Sequence, residues 1–399
     1  MKEAVIIDAV RTPIGKLNGA LTSVRPDDLA AHVIKELLNR VPLEKNLIED
    51  VYFGCANQGG EDNRNVARMG LLLAGVPETV SGVTVNRLCG SGLDAVNQAS
   101  SAIKAGLGDV FIAGGTESMT RAPYVMMKPH LANPRGNQTL YDTTIGWRLV
   151  NPKLAEMYPP ISLGETAENV AEKYKISREE QDELAFLSQK KAAHAIKTGR
   201  FKEEIVPIEI PQKKGAAVSF QTDEHVRPDT TLEALSKLRP VFRDGGTVTA
   251  GNSSGINDGA SALLIMEKEI AQQLGLKPIA KIVTSAVSGV DPGYMGIGPV
   301  SATQKALKRA NLSIQDLDLI EINEAFAAQS VACIKELGLP LEKVNVNGGA
   351  IALGHPLGCS GARIVTTLVH EMQKRDVRYG LATMCIGVGQ GISTIIEKL

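Results

Sequence analysis

The feature that most constrains the fold of this chain is an internal duplication. Residues 75–115 and residues 338–387 look like imperfect copies of each other. Each copy contains a Gly-x-Pro turn, a cysteine followed by small residues and a helical pattern, and an apolar strand that ends in glycine. A repeat of this kind predicts two similar halves. We expect them to place two equivalent strand-to-helix corners face to face.

The hydrophobic pattern alternates between strands and helices along most of the chain. Runs with the length of buried strands occur at residues 4–9, 51–55, 110–113, 319–322 and 381–386. Apolar residues recur three and four positions apart at residues 26–38, 92–105, 302–309 and 361–372, which predicts helices. This alternation predicts an α/β fold with largely parallel sheets.

Residues 119–250 have a different texture, rich in Pro, Met, Lys and Glu and without clear alternation. A helix is predicted at residues 163–173. A second begins after Ser177, where Ser-Arg-Glu-Glu180 has the spacing of a capping box. We interpret this region as an insertion that covers the functional site. The predicted domains are therefore an N-terminal half (1–118 plus 251–271), a loop domain (119–250) and a C-terminal half (272–399).

Composition excludes several classes of function. A net charge of -1 provides no basic field for nucleic acid or anionic lipid. The five cysteines are odd in number and lack C-x-x-C spacing, which argues against a disulfide framework and favours a reducing cytoplasm. Asp8 and Arg11 interrupt the first apolar run, so we read no targeting signal or membrane span. We expect a cytoplasmic protein without nucleic-acid or membrane partners.

Cys89 is the first candidate for chemistry. It lies on a Gly-rich corner directly before a helical pattern. The helix dipole and the free N–H groups at such a corner would lower the pKa of the thiol and make it a nucleophile. Taken alone, a single cysteine is more often a small buried hydrophobe.

His355 and Cys385 are the second and third candidates. His355 is one of six histidines and lies in a glycine-rich loop, which suits a general base. That loop lacks the G-x-G-x-x-G pattern of a dinucleotide site. Cys385 ends the last predicted core strand, so one thiolate could attack while the second thiol shuttles a proton. Zinc bound by Cys89, His355 and Cys385 is the competing interpretation, but no close ligand pair supports it, and we expect no metal.

The other cysteines and two polar motifs are less specific. Cys359 is interpreted as structural, and Cys55 and Cys333 as strand-end and helix-core residues. Asn323-Glu-Ala-Phe326 lies at the end of an apolar strand, where α/β proteins tend to bind ligands, although Asn323 could equally be a helix N-cap. Residues 249–259 are polar but flanked by apolar sequence, so their backbone could approach a ligand.

Together these motifs resemble the thiolase family across essentially the whole chain. The resemblance rests on Asn86-Arg-Leu-Cys-Gly-Ser-Gly92, Gly251-Asn-Ser-Ser-Gly-Ile-Asn-Asp258, Asn323-Glu-Ala-Phe326, Gly354-His-Pro-Leu-Gly358 and Cys385-Ile-Gly387. It implies the thiolase fold, which has two related βαβαβ-type halves in five layers (αβαβα) and an inserted loop domain over the site. It also implies a homodimer or homotetramer.

The resemblance further implies roles for individual residues. Cys89 resembles the nucleophile that becomes acylated, His355 the base that activates it, and Cys385 the acid/base for the second substrate. The position of Asn323 holds a water that, with the histidine, binds the thioester oxygen. The backbone N–H groups of Cys89 and Gly387 correspond to a second oxyanion hole.

Coenzyme A is implied as a substrate, with no permanently bound cofactor. Ser254 matches a position that contacts its pantetheine arm, and Arg227 aligns with a basic residue near its nucleotide part. Residues 60–68 and 142–148 look most like degradative thiolases, including those for 3-oxoadipyl-CoA. Biosynthetic members usually carry His-Met where this chain has Ser162-Leu163.

The function expected from the resemblance is thiolysis of 3-ketoacyl-CoA by coenzyme A, through an acyl-cysteine, in fatty-acid β-oxidation. The products would be acetyl-CoA and a shortened acyl-CoA. Three alternatives remain: a biosynthetic acetoacetyl-CoA thiolase, a β-ketoacyl synthase-like condensing enzyme, and a non-catalytic carrier of coenzyme A or lipid. A synthase would normally have histidine in place of Cys385, and a carrier would be expected to lack one of the reactive residues.

Overall fold

The computed structural model describes residues 2–129, 133 and 135–399. The strands are β1 (Ala4–Arg11), β2 (Gly15–Lys16), β3 (Asp50–Gly54), β4 (Ser81–Val85), β5 (Val110–Ser118), β6 (Tyr124–Val125), β7 (Tyr141–Asp142), β8 (Ile208–Ile210), β9 (Val218–Phe220), β10 (Asn257–Glu267), β11 (Ala280–Gly289), β12 (Leu319–Ile322), β13 (Tyr379–Ile386) and β14 (Gln390–Lys398). The helices are α1 (Pro26–Arg40), α2 (Val66–Leu73), α3 (Ser91–Lys104), α4 (Pro152–Met157), α5 (Leu163–Lys173), α6 (Arg178–Lys197), α7 (Leu232–Ser236), α8 (Lys268–Gln273), α9 (Gly298–Ala310), α10 (Ala327–Leu337), α11 (Ala350–Leu353) and α12 (Leu357–Arg375).

Ten of these strands form one mixed sheet, in the order β12-β13-β14-β11-β1-β10-β5-β3-β4, with β2 paired to β10. The pairs β12–β13, β3–β4 and β3–β5 are parallel, whereas the central pairs from β13 through β14, β11, β1 and β10 to β5 are antiparallel. The prediction of largely parallel sheets is therefore wrong. Residues 387–389 alone connect β13 to β14, which is too short for the crossover that a parallel pair needs.

The helices and strands pack in five layers. Helices α1 and α2 cover one group of strands, β3, β4, β5 and β10. Helix α9 covers a second group, β11, β13 and β14. Helices α3 and α12 lie side by side between the two groups of strands. Every residue of β5 and β10 is buried, as expected for strands covered on both faces. The predicted αβαβα class is confirmed.

The two halves meet through glycines at the starts of α3 and α12. A methyl group added at Gly92 would lie 2.7 Å from the carbonyl oxygen of Gly358, and one added at Gly361 would lie 2.2 Å from the nitrogen of Leu93. Only glycine permits this approach of two backbones. The duplication thus places the starts of α3 and α12 against each other, as predicted, although the His355 corner joins helix α11 to α12 and is not a strand-to-helix corner.

Residues 119–250 include helices α4 to α7 and two antiparallel strand pairs, β6–β7 and β8–β9. Helix α5 has the predicted bounds, and Ser177 forms the predicted capping box at the start of α6. Arg11 in β1 is fully buried and pairs with Glu204 and Asp223, which anchors this region to the central sheet. The domain boundaries and the homo-oligomeric state stay predictions.

All five cysteines are free and buried. Cys55 directly follows β3 and Cys333 lies inside α10, as predicted, while Cys359 is buried in α12. Within the described ranges, each helix is too short or too polar to cross a bilayer. The cytoplasmic location stays a prediction.

Candidate active site

Cys89 lies on the corner between β4 and α3. The backbone of Leu88 is left-handed, with φ at 48°, a conformation that leucine rarely adopts. Two hydrogen bonds hold the turn: Leu88 N–H donates to Asn86 Oδ1 at 2.9 Å, and Arg87 N–H donates to Ser91 Oγ at 2.9 Å. Strained corners that are held in this way are typical of functional sites.

A cavity of about 450 Å³ adjoins Cys89. One wall consists of Leu88, Cys89, Gly387 and Val388, from both halves of the chain. Residues 143–149, together with Ile161 and Leu163, line another part of the same cavity. The region predicted as a loop domain thus contributes one side of the space in front of the thiol.

The expectation that this corner lowers the pKa of Cys89 is wrong. Burial raises the pKa of the thiol to about 11, and the backbone N–H groups of Gly387 and Cys89 offset only part of this effect. Only 7% of Cys89 is exposed, so desolvation of the thiolate exceeds the stabilisation from nearby N–H groups. The resting group at neutral pH is therefore a thiol that needs a base.

Cys385 lies at the end of β13, opposite Gly391 of β14, and is 1% exposed. Burial, followed by repulsion from Cys89 and Cys333, raises the pKa of its thiol well above the ordinary value. Ile386, which follows Cys385, lies against Gly90, which follows Cys89, so the two thiols belong to segments that are in contact. Cys385 is absent from the described lining of the 450 Å³ cavity, so Cys89 is the more accessible of the two.

His355 is buried on the loop between α11 and α12. Burial, with a smaller contribution from the charge of Arg363, lowers the pKa of the imidazole to about 3, so the ring is neutral at neutral pH. Ser360 Oγ donates its proton to the carbonyl of Pro356 at 2.8 Å and lies 2.6 Å from His355 Nδ1. In the tautomer in which Nδ1 donates to Ser360 Oγ, the ring proton is on Nδ1. Nε2 is left with a lone pair, as a general base requires.

Asn323 follows β12 and faces the same imidazole. Its Nδ2 lies 3.4 Å from Nε2 of His355, and its backbone N–H donates to the carbonyl of Thr383 at 3.0 Å. Its Oδ1 is buried and accepts no hydrogen bond from a described protein group. The helix-cap alternative is wrong because the N-cap of α10 is Phe326.

Gly387 begins the turn between β13 and β14. The next residue, Val388, has φ at 61°, which is unusual for a β-branched residue. The backbone N–H of Gly387 lowers the pKa of the Cys89 thiol, and a methyl group added at Gly387 would lie 3.3 Å from the side chain of Leu88. Leu88, directly before Cys89, and Val388, directly after Gly387, therefore both have a left-handed backbone.

Ser254 and Arg227 lie apart from the Cys89 cavity. Ser254 N–H donates to the carbonyl of Ala325 at 3.0 Å, two residues beyond Asn323. Arg227 is exposed and lines a second cavity of about 470 Å³, together with Gly251. Gly251 lies three residues before Ser254, so the hydrogen bond of Ser254 joins the segment that lines the Arg227 cavity to the segment that follows Asn323.

The structure adds supporting residues that sequence reasoning missed. Ser360 orients His355, and Asn257 Oδ1 accepts the backbone N–H of His355 at 3.0 Å. Glu117 Oε2 accepts the backbone N–H of Gly358 at 2.8 Å. Asn257 lies in the polar 249–259 segment, which was expected to act through its backbone. Nothing in the sequence near Ser360 or Glu117 marks them.

The zinc interpretation lacks the necessary geometry. Among the described residues, the cluster of three or more potential metal ligands with donor atoms within 4.8 Å of one another is Cys55, Asp62 and Glu117. Cys89, His355 and Cys385 do not form such a group in that part of the chain. A zinc site requires its ligands to converge on one ion.

Two family models match nearly the whole chain. The model of the thiolase N-terminal domain matches residues 4–269, and the model of the thiolase C-terminal domain matches residues 276–398. The chain belongs to the thiolase family. Thiolases are acyltransferases that act on acyl-CoA and coenzyme A, so coenzyme A is a substrate here and no cofactor is permanently bound. Membership favours a thiolase over the β-ketoacyl synthase alternative.

Individual relatives cover the complete chain. It is 58% identical to the 3-oxoadipyl-CoA/3-oxo-5,6-dehydrosuberyl-CoA thiolase of Escherichia coli K12 and 50% identical to an acetyl-CoA acetyltransferase of Syntrophomonas wolfei, with 100% of both chains covered in each case. The crystal structure of the Bacillus anthracis acetyl-CoA acetyltransferase is similar, with a TM-score of 0.94 and 44% identity over 100% of this chain and 99% of that one. These similarities confirm the thiolase fold.

Proposed function

We propose that this thiolase cleaves 3-oxoadipyl-CoA with coenzyme A to give acetyl-CoA and succinyl-CoA. The 58% identity over the complete chain with a relative named for 3-oxoadipyl-CoA supports the choice of substrate. This substrate is more specific than the general 3-ketoacyl-CoA of fatty-acid β-oxidation that the motifs predict.

The observation that carries the chemistry is the position of Cys89. Its thiol and Gly387 share one cavity, while the second thiol, Cys385, is more deeply buried close by. This arrangement supports Cys89 as the acyl carrier and Cys385 as the proton shuttle. The raised pKa of Cys385 suits the shuttle because the thiol is protonated and ready to donate.

The first step is attack on the 3-oxo carbon. Nε2 of His355 takes the proton of Cys89 while the sulfur bonds to that carbon, and the carbonyl oxygen becomes an oxyanion. The backbone N–H groups of Cys89 and Gly387 stabilise this charge. Fixed donors in a water-poor site are effective because they need no reorganisation when the charge develops.

The second step breaks the bond between the second and third carbons. The electron pair moves into an enolate on the thioester oxygen, which the protonated Nε2 of His355 and a water held by Asn323 stabilise. Cys385 then gives its proton to the second carbon, and acetyl-CoA leaves. The succinyl group stays on Cys89 as a thioester.

The third step regenerates the enzyme. The Cys385 thiolate takes the proton of incoming coenzyme A, whose thiolate attacks the acyl carbon on Cys89. The N–H groups of Cys89 and Gly387 stabilise the oxyanion again. Cys89 leaves as a thiolate and recovers its proton from His355. Ser254 contacts the pantetheine arm, and Arg227 lies near the nucleotide part.

A second candidate is an acetyl-CoA acetyltransferase that acts on acetoacetyl-CoA. The 50% identity to the Syntrophomonas wolfei relative supports it. The pair Ser162-Leu163 argues against a strictly biosynthetic enzyme of this kind, and Leu163 lines the Cys89 cavity.

The test is kcat/KM for thiolysis of 3-oxoadipyl-CoA, acetoacetyl-CoA and a medium-chain 3-oxoacyl-CoA. We expect 3-oxoadipyl-CoA to be the best substrate. Activity confined to acetoacetyl-CoA would replace the proposal with the second candidate. A preference for the medium chain would return it to β-oxidation, and failure to cleave any of the three would favour a carrier.

A further inference from the structure

We propose that the guanidinium of Arg148 binds the terminal carboxylate of the acyl group on Cys89. The enzyme would then select 3-oxoacyl-CoA substrates whose acyl chain ends in a carboxylate. This inference rests on the proposed function and names the residue behind its substrate preference. Residues 142–148 were noted in the sequence as a resemblance only, with no role for the arginine.

The cavity beside Cys89 places this cation at the acyl end of the reaction. Arg148 and Cys89 line the same space of about 450 Å³. Most of the remaining side chains around it are apolar: Ile145, Trp147, Leu149, Ile161, Leu163 and Leu357. Such a lining accepts methylene groups and offers a carboxylate one cationic partner.

Arg148 has no carboxylate partner among the described residues. It is half-buried, and its Nη2 donates to Asn57 Oδ1 at a long 3.4 Å. Several other half-buried arginines form ion pairs, among them Arg121 with Glu61, Arg178 with Asp182 and Arg243 with Glu165, whereas Arg68 donates to the backbone carbonyls of Val80 and Glu78 instead. A guanidinium in a partly apolar space is stabilised by a carboxylate, which it can bind through two parallel hydrogen bonds.

The segment that carries Arg148 is held in place. Asn57 Nδ2 donates to the carbonyl and the hydroxyl of Thr143 at 3.1 and 3.0 Å. The indole N–H of Trp147 donates to the carbonyl of Ile161 at 3.1 Å. These bonds hold the chain before Arg148 at two points, Thr143 and Trp147. Fixed geometry matters because binding energy assists the reaction only when the reacting carbon is held near the nucleophile.

The proposed substrate ends in the carboxylate that Arg148 would bind. In 3-oxoadipyl-CoA, two methylene groups separate the terminal carboxylate from the carbon that Cys89 attacks. The carboxylate therefore stays within the cavity throughout the cycle, first on the substrate and then on the succinyl thioester. A neutral acyl chain of the same length would leave the guanidinium without its partner, and sites built for a polar group reject such analogues strongly.

The experiment compares Arg148→Gln with wild type on 3-oxoadipyl-CoA and 3-oxohexanoyl-CoA, in which a methyl group replaces the carboxylate. We expect the variant to lose about 100-fold in kcat/KM for 3-oxoadipyl-CoA and to stay near wild type for 3-oxohexanoyl-CoA, which also reports correct folding. Arg148→Lys keeps the charge but not the two-pronged geometry, so it should lie between them. Arg309→Gln, which removes an exposed charge on α9, is the matched control and should behave as wild type.

The two proposals fail in different ways. If wild type cleaves 3-oxohexanoyl-CoA as well as 3-oxoadipyl-CoA, the proposed substrate is wrong. If wild type prefers 3-oxoadipyl-CoA and Arg148→Gln keeps that preference, the proposed function stands and Arg148 is not its cause. Should Arg148→Gln not fold, an unchanged preference in Arg148→Lys would also overturn the assignment.

Discussion

Glu117 Oε2 accepts a hydrogen bond from the backbone N–H of Gly358 at 2.8 Å, and this contact ties the end of β5 to the first turn of α12, directly after the loop that carries His355. The same carboxylate accepts the N–H groups of Ala56 at 2.9 Å and Asn57 at 3.0 Å. Three backbone N–H groups, from two separate segments near the cavity, therefore share one buried carboxylate. Burial raises the pKa of Glu117 to about 7 in spite of these bonds.

The first prediction concerns this contact. Glu117→Gln replaces one acceptor oxygen with an NH₂ group that faces backbone donors. We expect kcat to fall at least about tenfold and the free energy of unfolding to fall by about 1–3 kcal/mol. The KM for coenzyme A should stay near that of wild type because Arg227 lies elsewhere. Steady-state kinetics with urea unfolding tests this, and an unchanged kcat would refute a positioning role.

The second prediction concerns the buried ion pair between β1 and residues 201–226. Both nitrogens of the Arg11 fork bind Asp223, at 2.7 and 2.9 Å, and all atoms involved are buried. Asp223→Ala leaves part of that charge unpaired, so we expect a loss of about 3–5 kcal/mol in unfolding free energy. Glu233→Ala, which breaks an exposed pair with Lys237, is the control and should have no measurable effect. Equal losses would contradict this account.

The third prediction concerns acid stability. The pKa of His355 is about 3 in the folded protein, below its ordinary value of 6.5. Between these values the unfolded chain binds a proton that the folded protein does not, so stability falls as pH falls from 6.5 towards 3. From pH 7 to pH 5, His355 alone should contribute a loss of about 2 kcal/mol. His355→Gln should reduce the measured loss, and identical pH profiles would show that His355 is not buried as a neutral base.

The fourth prediction concerns coenzyme A. Arg227 lines a cavity separate from the one that Cys89 lines, so its interaction with a phosphate would contribute uniform binding. Arg227→Ala should raise the KM for coenzyme A and leave acylation of Cys89 largely intact. Arg309→Ala provides a matched control. A lower kcat at unchanged KM would place Arg227 in the chemical steps instead.

Much of the fold could be predicted because its signals are local. The strand runs, the helical periods and the capping box at Ser177 each depend on neighbouring residues, and the structure contains all of them. The direction of strand pairing could not be predicted. It depends on β10, β11 and β14, which were not foreseen and which supply the antiparallel pairs at the centre of the sheet.

The site was predictable where a reactive residue type lies in a distinctive motif, as with Cys89, His355 and Cys385. Glu117 escaped notice because it contacts segments that are distant in the sequence, and Ser360 because a serine five residues after a histidine is not by itself a signal. The predicted direction of the pKa shift of Cys89 was also wrong. Local sequence shows the helix start that favours a thiolate, but not the burial that outweighs it.

The most direct test of the central claim is to locate the acyl group by intact-protein mass spectrometry after brief incubation with acetyl-CoA. Wild type and Cys385→Ala should carry an acetyl group on Cys89, because acylation needs Cys89, His355 and an oxyanion hole. Turnover of Cys385→Ala should nevertheless collapse for lack of the proton shuttle, and Cys89→Ala should show neither adduct nor turnover. An acetyl group on Cys385, or any adduct on Cys89→Ala, would contradict the assignment of roles.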